Sequence, residues 1–427
     1  MMSWFNKRII LLTIAVVVIL SYFIFERLNN NNLGKYVISD GEKAEDTILV
    51  NSSNGYTGRF PDIIDTKDGL LAAYYWNNSH APYNLGDSVG VIKIQRGSAD
   101  GREWDESKTL IDKEFLIKAG LGVWKGTDCY YYTEEEAEAN GAEFCIEARD
   151  PNFSHMGEKI VMTFFTRLPY DCNVGEHEYT RYDEKYDYTY GRTYIMVSDD
   201  AGETWSNPEE IACNYLDRGC AKRGNIAVIT DDTILIPLYG YSSQLGTIYT
   251  TSNVMAIYKN GRWKFEKEYC SHIENGTECL GAFKNDVTEV SFAVMDDKIY
   301  ALLRPTGKIL VSETYGKSWE EVETVENGEK MLILHQPSLQ TIDKTGQLLA
   351  SWSEPNEIGG RDIFLMMWSP VKDNIWCYNE KSLIYKDIIP GDMADPTSIM
   401  VDDMVLTIYY NAERGVVGII HTKLEYN

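Results

Sequence analysis

A short turn unit recurs along the chain at intervals of 56 to 58 residues. Each copy begins with Ser or a substitute, continues through a turn, and ends with Trp seven residues later. The four copies run from Ser198 to Trp205, Ala256 to Trp263, Ser312 to Trp319 and Ser369 to Trp376. A unit of this length holds several short strands and cannot bury its faces alone, so it stacks on further copies of itself. The spacing therefore predicts a ring of β-sheets, a β-propeller.

The spacing also predicts the number of blades. An earlier copy, Ser98 to Trp104, is one residue short and precedes Ser198 by 100 residues, which is one unit and a surplus. Six units of about 57 residues, together with that surplus, account for Leu33 to Asn427. We therefore predict six blades and an all-β fold.

Two features of this ring are expected from the residues. The surplus is placed in long loops on the second blade, at Trp124–Glu147 and Asp171–Arg192. Strand Asp46–Val50 is expected to pair with a C-terminal strand, either Val405–Tyr410 or Gly418–His421, because closing the ring removes exposed sheet edges.

The recurring turn has a structural explanation. In the copy that begins at Ser198, the Ser and Asp200 side chains accept backbone hydrogen bonds, Gly202 supplies a positive φ, and Trp205 packs between strands. We expect these turns to stabilise hairpins and to take no part in chemistry.

The composition excludes some functions. The chain carries 65 acidic and 40 basic residues, a formal net charge of -25, which repels the phosphates of nucleic acid. We therefore predict no nucleic-acid partner. Its 29 Tyr and 10 Trp, with almost no long amphipathic helical patterns, favour strands throughout.

One apolar segment lies near the N-terminus. Ile9–Phe25 contains seventeen uncharged residues, just enough for a helix to cross a membrane. Lys7 and Arg8 precede it, whereas Glu26 and Arg27 cancel after it, so the N-terminus is predicted to be cytoplasmic. A cleaved signal peptide is the alternative, although no small-residue cleavage site follows Phe25.

These patterns predict a single-pass membrane protein with an extracytoplasmic propeller. The predicted parts are a cytoplasmic tip over 1–8, a transmembrane helix over 9–25, a linker over 26–45, and a propeller over 46–427 with an insertion around 110–193.

The eight cysteines leave their pairing open. Proximity in sequence suggests three disulfides, Cys129 with Cys145, Cys213 with Cys220 and Cys270 with Cys279. Buried thiols are the alternative, since sequence alone does not fix connectivity. No Cys or His spacing is typical of a zinc site, and we predict neither a metal nor another cofactor.

Several motifs carry a resemblance to a known family. The turn unit resembles the Asp box, or BNR repeat, of the sialidase (neuraminidase) superfamily. Gly58–Ile63 (GRFPDI) resembles the Arg-Ile-Pro motif of that family, with Phe60 in place of the usual Ile. Further stretches follow in family order, namely Asp150-Pro151-Asn152, Gly224-Asn225 and Glu289. The resemblance implies a six-bladed sialidase-type propeller.

The resemblance also implies site residues. Sialidases hold the carboxylate of sialic acid with three arginines, which correspond here to Arg59, Arg304 and Arg361. It implies an acid/base at Asp87 and an activating carboxylate at Glu289. Each of these residues has a simpler alternative, such as a solvated arginine or a carboxylate that caps its own turn.

The sequence departs from the family at the nucleophile. Where the family has Tyr, the anchors Pro396 and Asp402-Asp403 place Asp395. An anionic nucleophile would approach sialic acid against repulsion from the sugar's own carboxylate, which a neutral Tyr avoids. Asp395 is therefore expected to be a general base for water, a group that attacks another sugar, or a relic.

Three functions follow from these expectations. The first is a membrane-anchored glycoside hydrolase that removes a terminal acidic sugar, sialic acid above all, from glycoconjugates. The second is a non-catalytic, lectin-like propeller that binds sialylated or other acidic glycans. The third is an adhesion scaffold. A hydrolase of a different sugar is a variant of the first.

Overall fold

Six sheets make up most of the computed structural model, five of them built from strands that are close in sequence and the sixth from strands of both ends of the chain. The structure describes residues 36–38, 45–78, 90–121, 124–125, 130–131, 135, 139, 141, 143–144, 146–167, 192–216, 218–242, 248–270, 287–325, 337–372, 375–378, 381–391 and 393–426.

The strands of the first half are β1 (Tyr36–Ile38), β2 (Glu45–Asn51), β3 (Thr57–Thr66), β4 (Gly69–Asn77), β5 (Val91–Gly97), β6 (Lys108–Ile111), β7 (Trp124–Lys125), β8 (Tyr130–Tyr131), β9 (Glu143–Phe144), β10 (Glu147–Met156), β11 (Lys159–Arg167), β12 (Arg192–Ser198), β13 (Glu209–Glu210), β14 (Arg218–Ala221), β15 (Ala227–Thr230) and β16 (Thr233–Ser242). The remaining strands are β17 (Ile248–Lys259), β18 (Arg262–Cys270), β19 (Thr288–Met295), β20 (Lys298–Arg304), β21 (Ile309–Ser312), β22 (Glu320–Glu321), β23 (Glu323–Val325), β24 (Ser338–Ile342), β25 (Gln347–Pro355), β26 (Arg361–Lys372), β27 (Ile375–Tyr378), β28 (Ser382–Tyr385), β29 (Met393–Val401), β30 (Met404–Asn411) and β31 (Val416–Tyr426).

The six sheets are the blades of a propeller. Blade 1 is β3–β6, blade 2 is β10–β13, blade 3 is β14–β18, blade 4 is β19–β22, blade 5 is β23–β28, and blade 6 is β29–β31 with β1 and β2. The predicted all-β, six-bladed architecture is therefore confirmed. Between blades 1 and 2, where we expected only loop, the chain forms helix α1 (Lys113–Lys118) and the small sheet β7–β9.

The N-terminal strands close the ring. In β2, Thr47 pairs with Ile419 of β31, so the predicted closure uses Gly418–His421 and not Val405–Tyr410. Strand β1 pairs with the far end of β31, where Tyr36 lies opposite Tyr426.

Strand β1 lies within the stretch that we predicted to be a linker. Its Tyr36 is buried, the backbone N–H of Tyr36 donates to Gln347 Oε1 at 2.8 Å, and Gln347 Nε2 donates to Tyr36 O at 3.1 Å. These bonds join the last sheet to blade 5, because Gln347 belongs to β25.

A hydrophobic cluster fills the interface between each pair of neighbouring blades. Leu71 and Met162, for example, belong to the cluster between blades 1 and 2, and Leu406 and Leu70 to the cluster between blades 6 and 1. The middle strands are buried on both faces, which explains continuous apolar runs such as TILIPLY at the start of β16.

The recurring turns connect the third and fourth strands of their blades, at the end of the propeller opposite the starts of the first strands. In three of them the Trp Nε1 donates to the carbonyl oxygen of a turn Gly, at 2.9 Å from Trp104, 3.2 Å from Trp205 and 3.1 Å from Trp319. The Ser198 hydroxyl accepts from Gly202 N–H at 2.8 Å, and Gly202 has φ 87°. These turns are structural; their assignment to the Asp-box family stays a prediction.

Two further predictions concern residues that lie wholly or partly outside the described ones. No helix of the described residues is long and apolar enough to span a membrane, and Ile9–Phe25 lies outside them. Cys213 is a thiol that donates to Glu268 Oε1 at 2.9 Å, so its predicted bond to Cys220 is wrong. The side chains of the other two predicted pairs lie outside the described residues.

Candidate functional site at the propeller axis

A one-residue β-bulge recurs near the start of the first strand in four blades. In blade 1, Arg59 and Asp62 pair with Tyr75 and Ala73, so the two residues between them on β3 lie opposite a single residue, Tyr74, on β4. The same shift occurs between Arg149 and Asn152, Thr288 and Ser291, and Ala394 and Thr397. Bulges re-aim the side chains beside them and are common at active sites.

The bulged residue has a positive φ in each case: Phe60 51°, Asp150 53°, Glu289 47° and Asp395 42°. Each non-glycine residue in this region costs on the order of 1–3 kcal/mol, a cost that the surrounding structure must offset. The first strands of neighbouring blades contact one another around the ring, so the bulged residues meet near the axis.

Two buried arginines share one carboxylate at this axis. Arg149 Nε lies 3.2 Å from Asp150 Oδ1, and Arg223 Nε lies 3.1 Å from Asp150 Oδ2. Burial raises the pKa of Asp150, but the two guanidinium groups lower it by more, so the pKa lies below its ordinary value. A second carboxylate, Glu147, lies 3.8 Å from Arg149 Nη1.

Arg223 also joins two carboxylates from other blades. Its Nη1 lies 3.3 Å from Glu289 Oε1 and 3.6 Å from Asp395 Oδ2. On its far side, Glu289 Oε2 lies 2.8 Å from Arg304 Nη1. Burial lowers the pKa of Arg223, but the three carboxylates of Asp150, Asp395 and Glu289 raise it by more. The net pKa lies above its ordinary value, so the guanidinium stays charged.

Phe60 lies between the two buried guanidinium groups. The ring centroid is 4.6 Å from Arg149 Cζ and 4.3 Å from Arg223 Cζ, which is cation–π contact on both sides. Tyr75 and Tyr410 contact the same ring, with centroids 6.0 and 5.4 Å away. Phe60 thus packs against both guanidinium groups and helps to position them.

A second polar layer lies beside the bulges. Lys222 Nζ donates to Asn152 Oδ1 at 2.8 Å, and Asn152 Nδ2 donates to Asp62 Oδ2 at 3.2 Å. Burial raises the pKa of Asp62 to about 6, although the Phe153 N–H and Lys222 oppose it. Burial likewise lowers the pKa of Lys222 to about 7, while Asp62 raises it.

The structure brings together Glu289, Arg304 and Asp395 of the predicted site. Arg59 is buried beside the first bulge and donates from Nη1 to Asn77 O at 3.0 Å. Arg361 begins β26 opposite Pro355, at the end of the propeller where second strands end and third strands begin.

Arg304 lies at that same end, because it pairs with Thr288 at the start of β19. The predicted acid Asp87 follows β4 in the chain and lies outside the described residues. Among the described residues, no group of three His, Cys, Asp or Glu side chains is arranged to hold a metal ion.

The sequence analysis missed Arg149 and Arg223. The signal was present, because Arg59-Phe60, Arg149-Asp150 and Arg223-Gly224 each join an Arg to the residue with positive φ.

The comparisons with solved structures bear on the fold. A Dyadobacter fermentans protein of unknown function has a TM-score of 0.60 and 15% identity, covering 90% of this chain and 99% of its own. A Penicillium chrysogenum α-L-arabinanase complexed with arabinobiose has a TM-score of 0.53 and 8% identity, covering 90% and 99%.

The Trypanosoma rangeli sialidase, solved in complex with sialic acid, has a TM-score of 0.51 and 15% identity, and the match covers 91% of this chain and 58% of the sialidase. The chain thus spans little more than half of that enzyme. No protein-family model and no curated protein sequence matches the chain. Identities this low show the fold alone, and the chain therefore has the six-bladed propeller fold of the sialidases.

Proposed function

We propose that this protein is a glycoside hydrolase whose active site is the bulge cluster at the propeller axis. One observation carries the proposal: the single nitrogen Nη1 of Arg223 contacts both Glu289 and Asp395, at 3.3 and 3.6 Å. Glycosidases cleave their bond with a pair of carboxyl groups, one acid and one base or nucleophile, and this cluster brings carboxylates of two blades to one place at the axis. Two solved neighbours of the same fold, a sialidase and an arabinanase, support the proposal.

The contacts suggest a role for each carboxylate. Glu289 contacts Arg223 and Arg304, which hold its carboxylate in place at the axis, and it is proposed to stabilise the positive charge that develops on the anomeric carbon. Asp395 is proposed as the general base for water. The acid that protonates the leaving oxygen is proposed to be Asp87.

The test is turnover of a panel of aryl glycosides, acidic and neutral. We expect Glu289→Gln and Asp395→Asn each to lower kcat on the order of 10²-fold or more with little change in binding. Asp68→Asn, a matched loss of one exposed carboxylate in the β3–β4 turn, should behave as wild type. Equal activity in all four proteins would contradict the proposal.

The second candidate is a non-catalytic glycan-binding propeller. It is favoured by the complete burial of Asp395, which has 0% relative exposure. Asp395→Tyr separates the two candidates, since Tyr is the residue that the resemblance expects there. A retaining sialidase activity gained by this variant, from an inactive wild type, would favour the binder.

Sialic acid as the substrate and anchoring through Ile9–Phe25 are finer proposals, which rest on the sequence. Lys7 and Arg8 before the apolar segment support an extracytoplasmic propeller. Protease added to intact cells should then digest the propeller. Full protection, in cells whose other surface proteins are cleaved, would contradict the anchoring.

A further inference from the structure

The charges at the propeller axis are already balanced by one another, and from this we infer that the site holds a neutral terminal sugar in preference to an acidic one. The inference rests on the proposed function, because it concerns the substrate of that same site. It departs from the sugar that the sequence resemblance predicts.

The two arginines that share Asp150 have their guanidinium groups engaged. Arg149 contacts Asp150 and Glu147, and Arg223 contacts Asp150, Glu289 and Asp395. An incoming carboxylate would have to displace one of these internal carboxylates. The displaced group would stay buried without its counter-charge, which is strongly unfavourable.

Two further arginines, Arg304 and Arg59, offer little more. The side chain of Arg304 is 27% exposed, and its Nη1 is paired with Glu289 at 2.8 Å. Arg59 is 7% exposed and donates to the backbone oxygen of Asn77. A ligand carboxylate that paired with Arg304 would remove one of the two arginine contacts of Glu289 described here and leave the contact with Arg223.

Asp395 adds a negative charge that a sialic acid site would not be expected to carry. Its Oδ2 lies 3.6 Å from Arg223 Nη1, whereas Asp150 contacts Nε of the same guanidinium. Asp395 is therefore already paired with the cation that an acidic sugar would need. Like charges at such distances repel most strongly where water is excluded. A neutral sugar meets no such repulsion.

Neutral sugars can bind the carboxylates and arginines of this site without displacing their ion pairs. Their hydroxyl groups can donate to carboxylates such as Glu289 and can accept from Arg304. One neighbour of the same fold, the arabinanase, was solved with arabinobiose, a neutral disaccharide, and its full length is covered by the match.

The experiment measures binding and turnover in parallel on the full chain. The ligands are arabinose oligosaccharides and other neutral oligosaccharides on one side, and sialyllactose and glucuronides on the other. Calorimetry gives the Kd, and the corresponding aryl glycosides give kcat/KM. We expect wild type to bind at least one neutral oligosaccharide at least tenfold more tightly than any acidic one.

A charge variant tests the cause. Asp395→Asn frees Arg223 from one carboxylate, and Asn tolerates the positive φ at this position. We expect a gain of tenfold or more in affinity for acidic ligands, whereas the control Asp68→Asn should show none. The wild-type comparison does not depend on this variant folding.

The outcomes separate the inference from the proposed function. Turnover of sialosides by wild type, with neutral glycosides untouched, overturns the inference and leaves the hydrolase intact. Tight binding of a neutral oligosaccharide without turnover of any glycoside supports the inference and overturns the hydrolase. An unchanged acidic-ligand affinity in a folded Asp395→Asn protein also overturns the inference.

Discussion

At the scale of single residues, the site depends on Arg223. Its guanidinium contacts carboxylates from three strands, those of Asp150, Glu289 and Asp395. A buried charge that loses its partner is costly, and here one substitution would strip a contact from three carboxylates at once.

We therefore expect Arg223→Gln to lower the free energy of unfolding by about 3–5 kcal/mol. Arg102→Gln is the matched control, because Arg102 is exposed and its carboxylate contact, to Asp100, is 3.9 Å long. That control should change stability by less than about 1 kcal/mol. Urea denaturation measures the free energy of unfolding of both variants. Equal losses would contradict a stabilising role of the axial ion pairs.

The Asp62 carboxyl gives a prediction with pH. Its pKa is raised to about 6 in the folded protein, so the folded state keeps this proton at pH values where the unfolded state, with a pKa near 4, has released it. The stability contribution of this group is present below about pH 4 and is lost as pH rises toward 6.

We expect the unfolding free energy of wild type, relative to Asp62→Asn, to fall between pH 4 and 6 by up to about 3 kcal/mol. Lys222 does not disturb this window, because its pKa of about 7 leaves it protonated throughout. Parallel stability curves for the two proteins would contradict the assignment.

The sequence pointed to side chains that follow a motif, whose roles stay predictions, and missed side chains whose contacts the fold creates. Glu289 and Asp395 were placed by their motifs, and the structure brings them to one guanidinium. Arg149 has no distinctive motif of its own. Only the bulge geometry, repeated from blade to blade, shows why an arginine at that position is aimed at the axis.

At the scale of elements, the turns between third and fourth strands lock neighbouring blades. Gly202 has φ 87°, and a Cβ there would lie 2.5 Å from Leu71 Cδ2 in blade 1. Gly261, at the corresponding turn of blade 3, has φ 75° and open space around it. The two glycines therefore share the backbone requirement and differ in packing.

We expect Gly261→Ala to cost about 1 kcal/mol, from the unfavourable φ alone. Gly202→Ala should cost about 1–3 kcal/mol more, because Leu71 must move within a close-packed core. Thermal unfolding of both variants measures the difference. Equal melting temperatures of the two variants would contradict close packing of the Gly202 turn against Leu71 of blade 1.

Turn spacing predicted these elements well because one local hydrogen-bond pattern recurs in sequence. The bulges were not predicted, because β3 and β10 are buried on both faces near their starts and show no apolar–polar alternation that an extra residue would shift. Helix α1 was missed as well. It is only six residues long, and its cap at Asp112, which accepts from Phe115 N–H, is a common local pattern.

At the scale of the whole molecule, the ring is held shut by β1 and β2. Both pair with β31, and together they cover an edge that would otherwise expose unpaired backbone groups. The period of the repeat predicted six blades, but it did not predict that β1 would join the closing sheet, because three residues carry too little pattern.

We expect a chain that begins at Lys35 to fold with an unchanged melting temperature, since it keeps both strands. A chain that begins at Ser52 should unfold well below it and aggregate, because the edge of β31 is then bare. Light scattering and calorimetry distinguish the two. Similar behaviour of both truncated chains would contradict the closure as described.

The central claim is that the bulge cluster at the axis binds the sugar, and the most direct measurement is the position of a neutral oligosaccharide in a crystal of Glu289→Gln. The account predicts that its terminal sugar lies at the axis, within hydrogen-bond distance of Arg304 and of residue 289. A sugar bound at an outer rim, or at the end of the propeller that carries the Ser198 turn, with the axis empty, would contradict it.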